Sequence, residues 1–383
     1  MAKSHKLNVY GLGQHGINRV KSPVHVLDGE LLSAQNATVR PVQGQLAITK
    51  RDGMAKINSD AAAGTLASIT NIPTLIFGEP QICIPISNRA WEAGAWSPEL
   101  NLFAVVGRGS TTDCVATSDD GVNWTLRTHS STSDWQDICW SAELGLFVAV
   151  GNTLVMTSPD GITWTDRSCV SGTWRGVTYS PDVNLLVAVG QTPGTGRIMT
   201  SPNGINWTDR TTGAMGGEAF RKVTWADSIG LFVAVANTNA STSNVSTSPD
   251  GITWTDRSTP DTVTLRDVAW SPELDILAAV GSTSLPPGTT YVTSSTDGIT
   301  WTARSYISNF SAWAVAWSPE LRIFLAAQEG SVAFRAATSE DGINWTNISP
   351  NCSQSVIHDV VWSPALEKFL LIADDEMELI GYG

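Results

Sequence analysis

Cysteine is scarce in this chain: Cys83, Cys114, Cys139, Cys169 and Cys352 are an odd set with no CxxC spacing and no histidine neighbours, which argues against a zinc site and a disulfide framework. They read as reduced thiols. Histidine is equally thin, and His5, His15, His25, His129 and His358 show no ligand spacing, so no metal or catalytic role is assigned to them. Charged residues make up only 15% of the 383 positions against 42% hydrophobic ones, a balance that excludes general disorder and allows a large core. No uninterrupted apolar stretch reaches membrane-spanning length, and Met1 to Gly13 lacks the apolar run of a secretory signal, so the expectation is a protein soluble as made, with no membrane insertion. Basic charge is short as well. With 23 Lys and Arg against 36 Asp and Glu, the net charge is −13, and nucleic acid is not an expected partner.

Tryptophan is absent from one part of the chain. All sixteen lie beyond residue 90, and the first 64 residues carry eight Lys/Arg and four Asp/Glu, a balance of +4 that leaves −17 for the rest. Residues 1–64 read as an N-terminal arm, with a short helix opened by Asp28 and a hairpin in VRPVQGQLAIT turning near Gly44. So short a set of elements cannot bury a core of its own. The apolar side chains Leu27, Leu31, Leu32, Leu46 and Ile48 are therefore expected to be buried against a partner or against the remainder of the protein.

What the chain has in abundance is one motif. TSPDGITWTDRS at 157–168 recurs as TSDDGVNWTLRT from Thr117, TSPNGINWTDRT from Thr200, TSPDGITWTDRS from Thr247, SSTDGITWTARS from Ser294 and TSEDGINWTNIS from Thr338. The motif tryptophans Trp124, Trp164, Trp207, Trp254, Trp301 and Trp345 lie 40, 43, 47, 47 and 44 residues apart, the period of a four-stranded propeller blade. In each copy an acid or amide precedes a glycine: Asp120-Gly121, Asp160-Gly161, Asn203-Gly204, Asp250-Gly251, Asp297-Gly298 and Asp341-Gly342. The glycine tolerates positive φ and the carboxylate accepts hydrogen bonds from turn N–H groups, so each pair marks a tight hairpin, followed by a tryptophan able to lie on the neighbouring unit. One carboxylate and a hydroxyl per turn fall short of the oxygen set calcium needs, and no metal or cofactor is expected.

A second element opens each unit: Trp96-Ser97-Pro98-Glu99, Trp140-Ser141-Ala142-Glu143, Tyr179-Ser180-Pro181-Asp182, Trp225-Ala226-Asp227, Trp270-Ser271-Pro272-Glu273, Trp317-Ser318-Pro319-Glu320 and Trp362-Ser363-Pro364-Ala365. The proline marks a turn, and the run after it, such as Leu146 to Val150, is apolar on both faces. Seven openings against six Asp-Gly motifs mean that one repeat is split. The expectation is an all-β, seven-bladed β-propeller over residues 65–383, its last blade completed by a strand between about Thr74 and Ile86. Strand alternation then puts the opening turns and the Asp-Gly turns on one rim. The opposite rim carries the strand 2–3 loops and the blade connections, which vary in length, and it is the expected binding face.

Two resemblances follow from these residues. Gly16-Ile17-Asn18, Leu27-Asp28-Gly29-Glu30-Leu31, Ala34-Gln35-Asn36 and Leu46-Ala47-Ile48-Thr49-Lys50-Arg51-Asp52-Gly53 are similar in order to the N-terminal segment of tailed-bacteriophage virion proteins, a group that includes tail nozzles, where such a segment precedes a β-propeller. The resemblance implies a tail or head-attached structural component located in the virion. Its implied partners are other virion proteins and copies of itself, with a host surface glycan or receptor as a further contact. The Asp-Gly motif also resembles the Asp-box of sialidase-like propellers, whose activity needs an arginine cluster, a tyrosine nucleophile and a glutamate. Tyr179 sits in a repeat opening, and no arginine group stands out in sequence around Tyr291, Tyr306 or Tyr382. The function read from sequence is thus a non-enzymatic structural or adhesive one, with a lectin-like or sialidase-like propeller and a bacterial interaction scaffold as the alternatives.

Overall fold

The structure, a computed structural model, describes residues 90–381 apart from short breaks at 110–111, 193–194, 212–218, 238–242, 283–289, 305–311, 329–335, 349–355 and 375, together with isolated strands nearer the N-terminus. Seven four-stranded antiparallel sheets make up this part of the chain. The first strand of every blade touches the first strands of its two neighbours, and the seventh blade meets the first, so the ring is closed. Blade 1 runs from Ala90 to Arg127, blade 2 from Trp135 to Arg167, blade 3 from Thr173 to Asp209, blade 4 from Phe220 to Arg257, blade 5 from Thr264 to Ala303 and blade 6 from Ala312 to Ile348.

Blade 7 is the split repeat that the count of openings predicts. Ile357–Ser363, Lys368–Ala373 and Glu376–Gly381 supply three strands, and Cys83–Pro85 adds the outermost one, antiparallel, with Glu376 opposite Pro85 and Glu378 opposite Cys83. Joining both ends of the propeller segment in one sheet removes the free edges that an open ring would expose.

The chain divides into two units at Ile72 and Pro73. In the first, His5–Leu7 pairs with Val24–Val26, and Arg40–Val42 pairs with Gln45–Ala47. That second pairing is the expected hairpin, and Gly44, near which the turn is expected, lies outside the described residues. Leu46 lies on its return strand, whereas Leu27, Leu31, Leu32, Ile48 and the expected helix after Asp28 lie outside the described residues.

The core of the ring is a set of seven layers, one between each pair of blades. In blade 2, Phe147 and Ala149 face blade 1, while Val148 and Val150 face blade 3, so the unbroken apolar run is the signature of a strand covered on both sides. Each motif tryptophan joins the layer shared with the preceding blade, as Trp164 does beside Ala93 and Ala104, and Trp301 beside Val233 and Val235. Trp164 also stacks obliquely on Phe147 of its own blade at 6.3 Å.

Candidate functional site at the channel mouth

The six Asp-Gly turns are closed by a repeated set of hydrogen bonds. Asp160 Oδ1 accepts from the backbone N–H of Ile162 (2.8 Å) and Thr163 (2.7 Å) and from Ser158 Oγ (3.0 Å), and Gly161 at φ 72° donates to Ser158 Oγ. Asp120, Asn203, Asp250, Asp297 and Asp341 accept in the same way. Burial pushes the Asp120 carboxyl up, but the backbone N–H donors of Asn123 and Val122, with the side chains of Asn123 and Ser118, together hold it down at about 2. Trp124, Trp164, Trp207, Trp254 and Trp301 return an indole N–H to the carbonyl of their turn glycine, while the buried indole nitrogen of Trp345 lacks that bond. In every copy the Oδ1 acceptor serves the turn, and the six turns remain one per blade.

The opening turns tie neighbouring blades together. Trp140 Nε1 donates to Glu99 of the preceding blade (2.6 Å), and Trp225 to Asp182, Trp270 to Asp227, Trp317 to Glu273 and Trp362 to Glu320 repeat the clasp. It fails at two seams. Tyr179 of blade 3 bonds Asn184 of its own turn instead, and Ala365 of blade 7 has no oxygen to offer Trp96, whose buried indole N–H is left without a partner.

The channel lining departs from simple alternation. In all seven blades the first strand carries a β-bulge five to three residues before the opening aromatic, as between Trp135 and Asp137 or Phe220 and Lys222. The bulge adds one residue to the strand and re-aims its neighbours, so two consecutive side chains face the axis. Two layers result.

The inner layer consists of Ala93, Asp137, Gly176, Lys222, Asp267, Ala314 and Asp359. Its three carboxylates reach across to the next blade: Asp137 Oδ2 accepts from Val177 N (2.8 Å), Asp267 Oδ2 from Val315 N (2.7 Å) and Asp359 Oδ2 from Gly94 N (3.0 Å). Lys222 Nζ sits among them, 2.8 Å from Asp137 Oδ1 and 3.7 Å from Asp359 Oδ1. Burial pulls the ammonium down, but the three acids, Asp137 foremost, hold it well above its ordinary value. Burial raises Asp137 and brings Asp267 up to about 7, the nearby Lys222 only partly offsetting it.

The outer layer, one residue earlier in each blade, is Glu92, Gln136, Arg175, Arg221, Arg266, Trp313 and His358, joined by Arg108 from the second strand of blade 1. Together with the top of the inner layer they line a cavity of about 70 Å³. Arg108 pairs with Glu92 through Nε and Nη2, at 2.6 and 2.7 Å. Arg175 donates to Gln136 Oε1 (3.1 Å), and its buried Nε has no partner. Arg221 meets the side-chain oxygen of Asn237 at 2.6 and 3.2 Å when that amide is turned to accept. The Arg266 guanidinium lies 3.8 Å above the Trp313 ring, whose edge meets His358, and His358 Nε2 is 2.8 Å from Asp374 Oδ1. Burial, with Arg175, Arg266 and Arg108 adding repulsion, brings Arg221 down to about 10; burial and Arg108 lower Arg175 too. Burial raises Glu92 despite Arg108 and His358 nearby.

Two features of this constellation are not visible in the sequence spacing. An arginine group does exist, but it surrounds the channel rather than a tyrosine, and its members, Arg108, Arg175, Arg221 and Arg266, lie 67, 46 and 45 residues apart in the chain. His358, left without a role by its spacing, stands in the same ring. Tyr291 is buried in the layer between blades 4 and 5, and Tyr179 bonds within its own opening turn, so neither faces the channel. Cys114, Cys139 and Cys169 are free thiols. Among the described residues no cluster of His, Cys, Asp and Glu suits a metal ion, and no helix is long and apolar enough to cross a membrane.

Neither a protein-family model nor a curated protein matches the sequence. The fold is similar to solved propellers: a streptogramin B lyase (10% identity, TM-score 0.64, covering 78% of this chain and 96% of that one) and YCF48 from Cyanidioschyzon merolae (17%, TM-score 0.57, 79% and 98%). A catalytically inactive virginiamycin B lyase from Staphylococcus aureus, solved with quinupristin, is similar to the same degree (9%, TM-score 0.64, 78% and 98%). At such identities the likeness establishes the seven-bladed β-propeller fold and nothing finer.

Proposed function

We propose that this protein is a non-enzymatic structural or adhesive component of a tailed-phage virion, in which the propeller presents a binding rim and residues 1–64 anchor it to other virion proteins. The observation that carries this reading is how the acids of the ring are used. The Asp-Gly turns take up their carboxylates in local hydrogen bonds, and Asp137, Asp267 and Asp359 are taken up as ties between blades. Such a ring suits presentation better than acid–base turnover. The order of motifs between Gly16 and Gly53 supports the virion assignment. The test is a chain beginning at Gly64, which is expected to keep a normal thermal transition but to be missing from purified particles that incorporate the full chain. Full-length protein absent from particles overturns the virion reading, and truncated protein incorporated at wild-type occupancy overturns the role of the arm.

A lyase-type activity is the second reading, favoured by the His358–Asp374 pair beside Glu92 in a fold shared with antibiotic lyases. Quinupristin incubated with the purified protein is expected to remain intact by mass spectrometry. Turnover that disappears in His358→Ala would replace the first reading with this one.

A further inference from the structure

The channel mouth is the place where this ring departs most from its own repeat, and we infer that it is a binding site for a carboxylate carried by an acidic saccharide of the uronic-acid type. The inference goes beyond the virion role and stands on different residues. Arg108, Arg175, Arg221 and Arg266 converge on one cavity, and of these Arg108 is paired with Glu92. Arg175 and Arg221 make only neutral contacts, to Gln136 and Asn237, with no carboxylate at ion-pair distance among the described residues. Half-buried guanidiniums that repel one another are costly to hold unless an anion joins them. Burial first, with that repulsion added to it, lowers both Arg221 and Arg175. Arg175, which lines the cavity, also keeps a buried Nε–H without a partner.

The chemistry of the ligand follows from what else lines the cavity. A guanidinium fork matches the two oxygens of a planar carboxylate. A volume of about 70 Å³ admits one such group and leaves the remainder of the ligand on the rim. Glu92, Asp267 and Asp359 border the same cavity, so a doubly charged phosphate meets more repulsion there than a singly charged carboxylate. Glu92 and Gln136 in the lining carry acceptor oxygens, and a hydroxyl-rich ring supplies donors for them. The mouth opens on the rim of variable loops and blade connections, the face expected to meet partners.

The experiment is titration calorimetry of the full chain with D-glucuronate, D-glucose and inorganic phosphate in parallel. Glucuronate is expected to bind with an affinity that weakens as salt is raised, and glucose and phosphate are expected to give no signal at the same concentrations. Arg221→Ala and Arg175→Gln are each expected to weaken glucuronate binding at least tenfold, with melting temperatures close to that of the parent. Having two variants covers the case in which one does not fold. No glucuronate binding at about 10 mM, a range where even weak sites register, overturns the inference. Glucose binding as well as glucuronate, phosphate binding in its place, or wild-type affinity in both folded variants would do the same. Because the probe is a free sugar and the protein is free of particles, these outcomes are independent of whether the chain belongs to a virion.

Discussion

The turn rim and the channel mouth are made by the same seven blades, yet equivalent positions behave oppositely in the two places. On the turn rim the same residue recurs blade after blade: a turn glycine at positive φ in Gly121, Gly161, Gly204, Gly251, Gly298 and Gly342, and an indole donating to the previous blade's acid in five clasps. At the mouth the equivalent positions read Glu92, Gln136, Arg175, Arg221, Arg266, Trp313 and His358. Turns and clasps meet the same geometric demand in each blade, so one chemical solution serves them all. The mouth faces a single shared space, where seven identical charges would repel, and a mixed set is what a specific ligand requires. Repetition in a propeller thus marks structure, and its failure at equivalent positions marks a site.

The comparison breaks most completely if the ring is opened. Removing residues 65–90 deletes the Cys83–Pro85 strand that completes blade 7, and the expected result is loss of the entire cooperative melting transition by calorimetry, since opening the ring uncovers two blade faces. A shortened chain that still melts sharply near the parent temperature would show that closure is dispensable.

Next in size is the inner channel layer. Lys222→Met leaves Asp137, Asp267 and Asp359 without their cation and is expected to cost about 3–5 kcal/mol in urea unfolding at pH 8, less at pH 5. Asp267 has its own pH signature. Its folded value of about 7 lies above the unfolded value of about 3.9, so the folded state binds more protons between the two, and its contribution to stability falls as pH rises from about 4 to about 7. Asp267→Asn, which keeps an acceptor for Val315 N, is expected to flatten that part of the stability–pH curve; an unchanged slope would place the titration elsewhere.

Smaller effects test the turn rim. Asp160→Ala removes an acceptor used by two backbone N–H groups and is expected to destabilise by about 1–2 kcal/mol in chemical denaturation while leaving binding at the mouth untouched. The smallest change is a gain. Ala365→Glu gives Trp96 the clasp that the other indoles of its kind have, and is expected to add about 0.5–1.5 kcal/mol, read as a raised midpoint in urea. No gain would mean that the closing seam differs in geometry from the seams it resembles.

How much of this was legible varies by element. The Asp-Gly motif was readable because it is local, its bonding residues lying within five positions of one another as Ser158, Asp160 and Gly161 do, and the opening turns were readable because the same few residues recur in each unit. The split of blade 7 was readable by counting, since seven openings and six motifs leave one strand to be found upstream. The channel layers were not. An alternating strand assigns one face to Arg221 and the other to Lys222, and only the bulge between Phe220 and Lys222 turns both inward. Nothing in the spacing of Asp137 and Val177 announces a hydrogen bond across 40 residues.

The sequence by itself thus determined the repeat, the blade count, the pairing of Arg40–Val42 with Gln45–Ala47 and the closure, because each depends on short-range turn chemistry and on an apolar pattern that permits one way of stacking. Tertiary structure alone decided where the charges converge. Ring closure brings first strands from distant parts of the chain side by side, and the bulges rotate their charged residues toward one axis. That is why four arginines far apart in the sequence share one cavity.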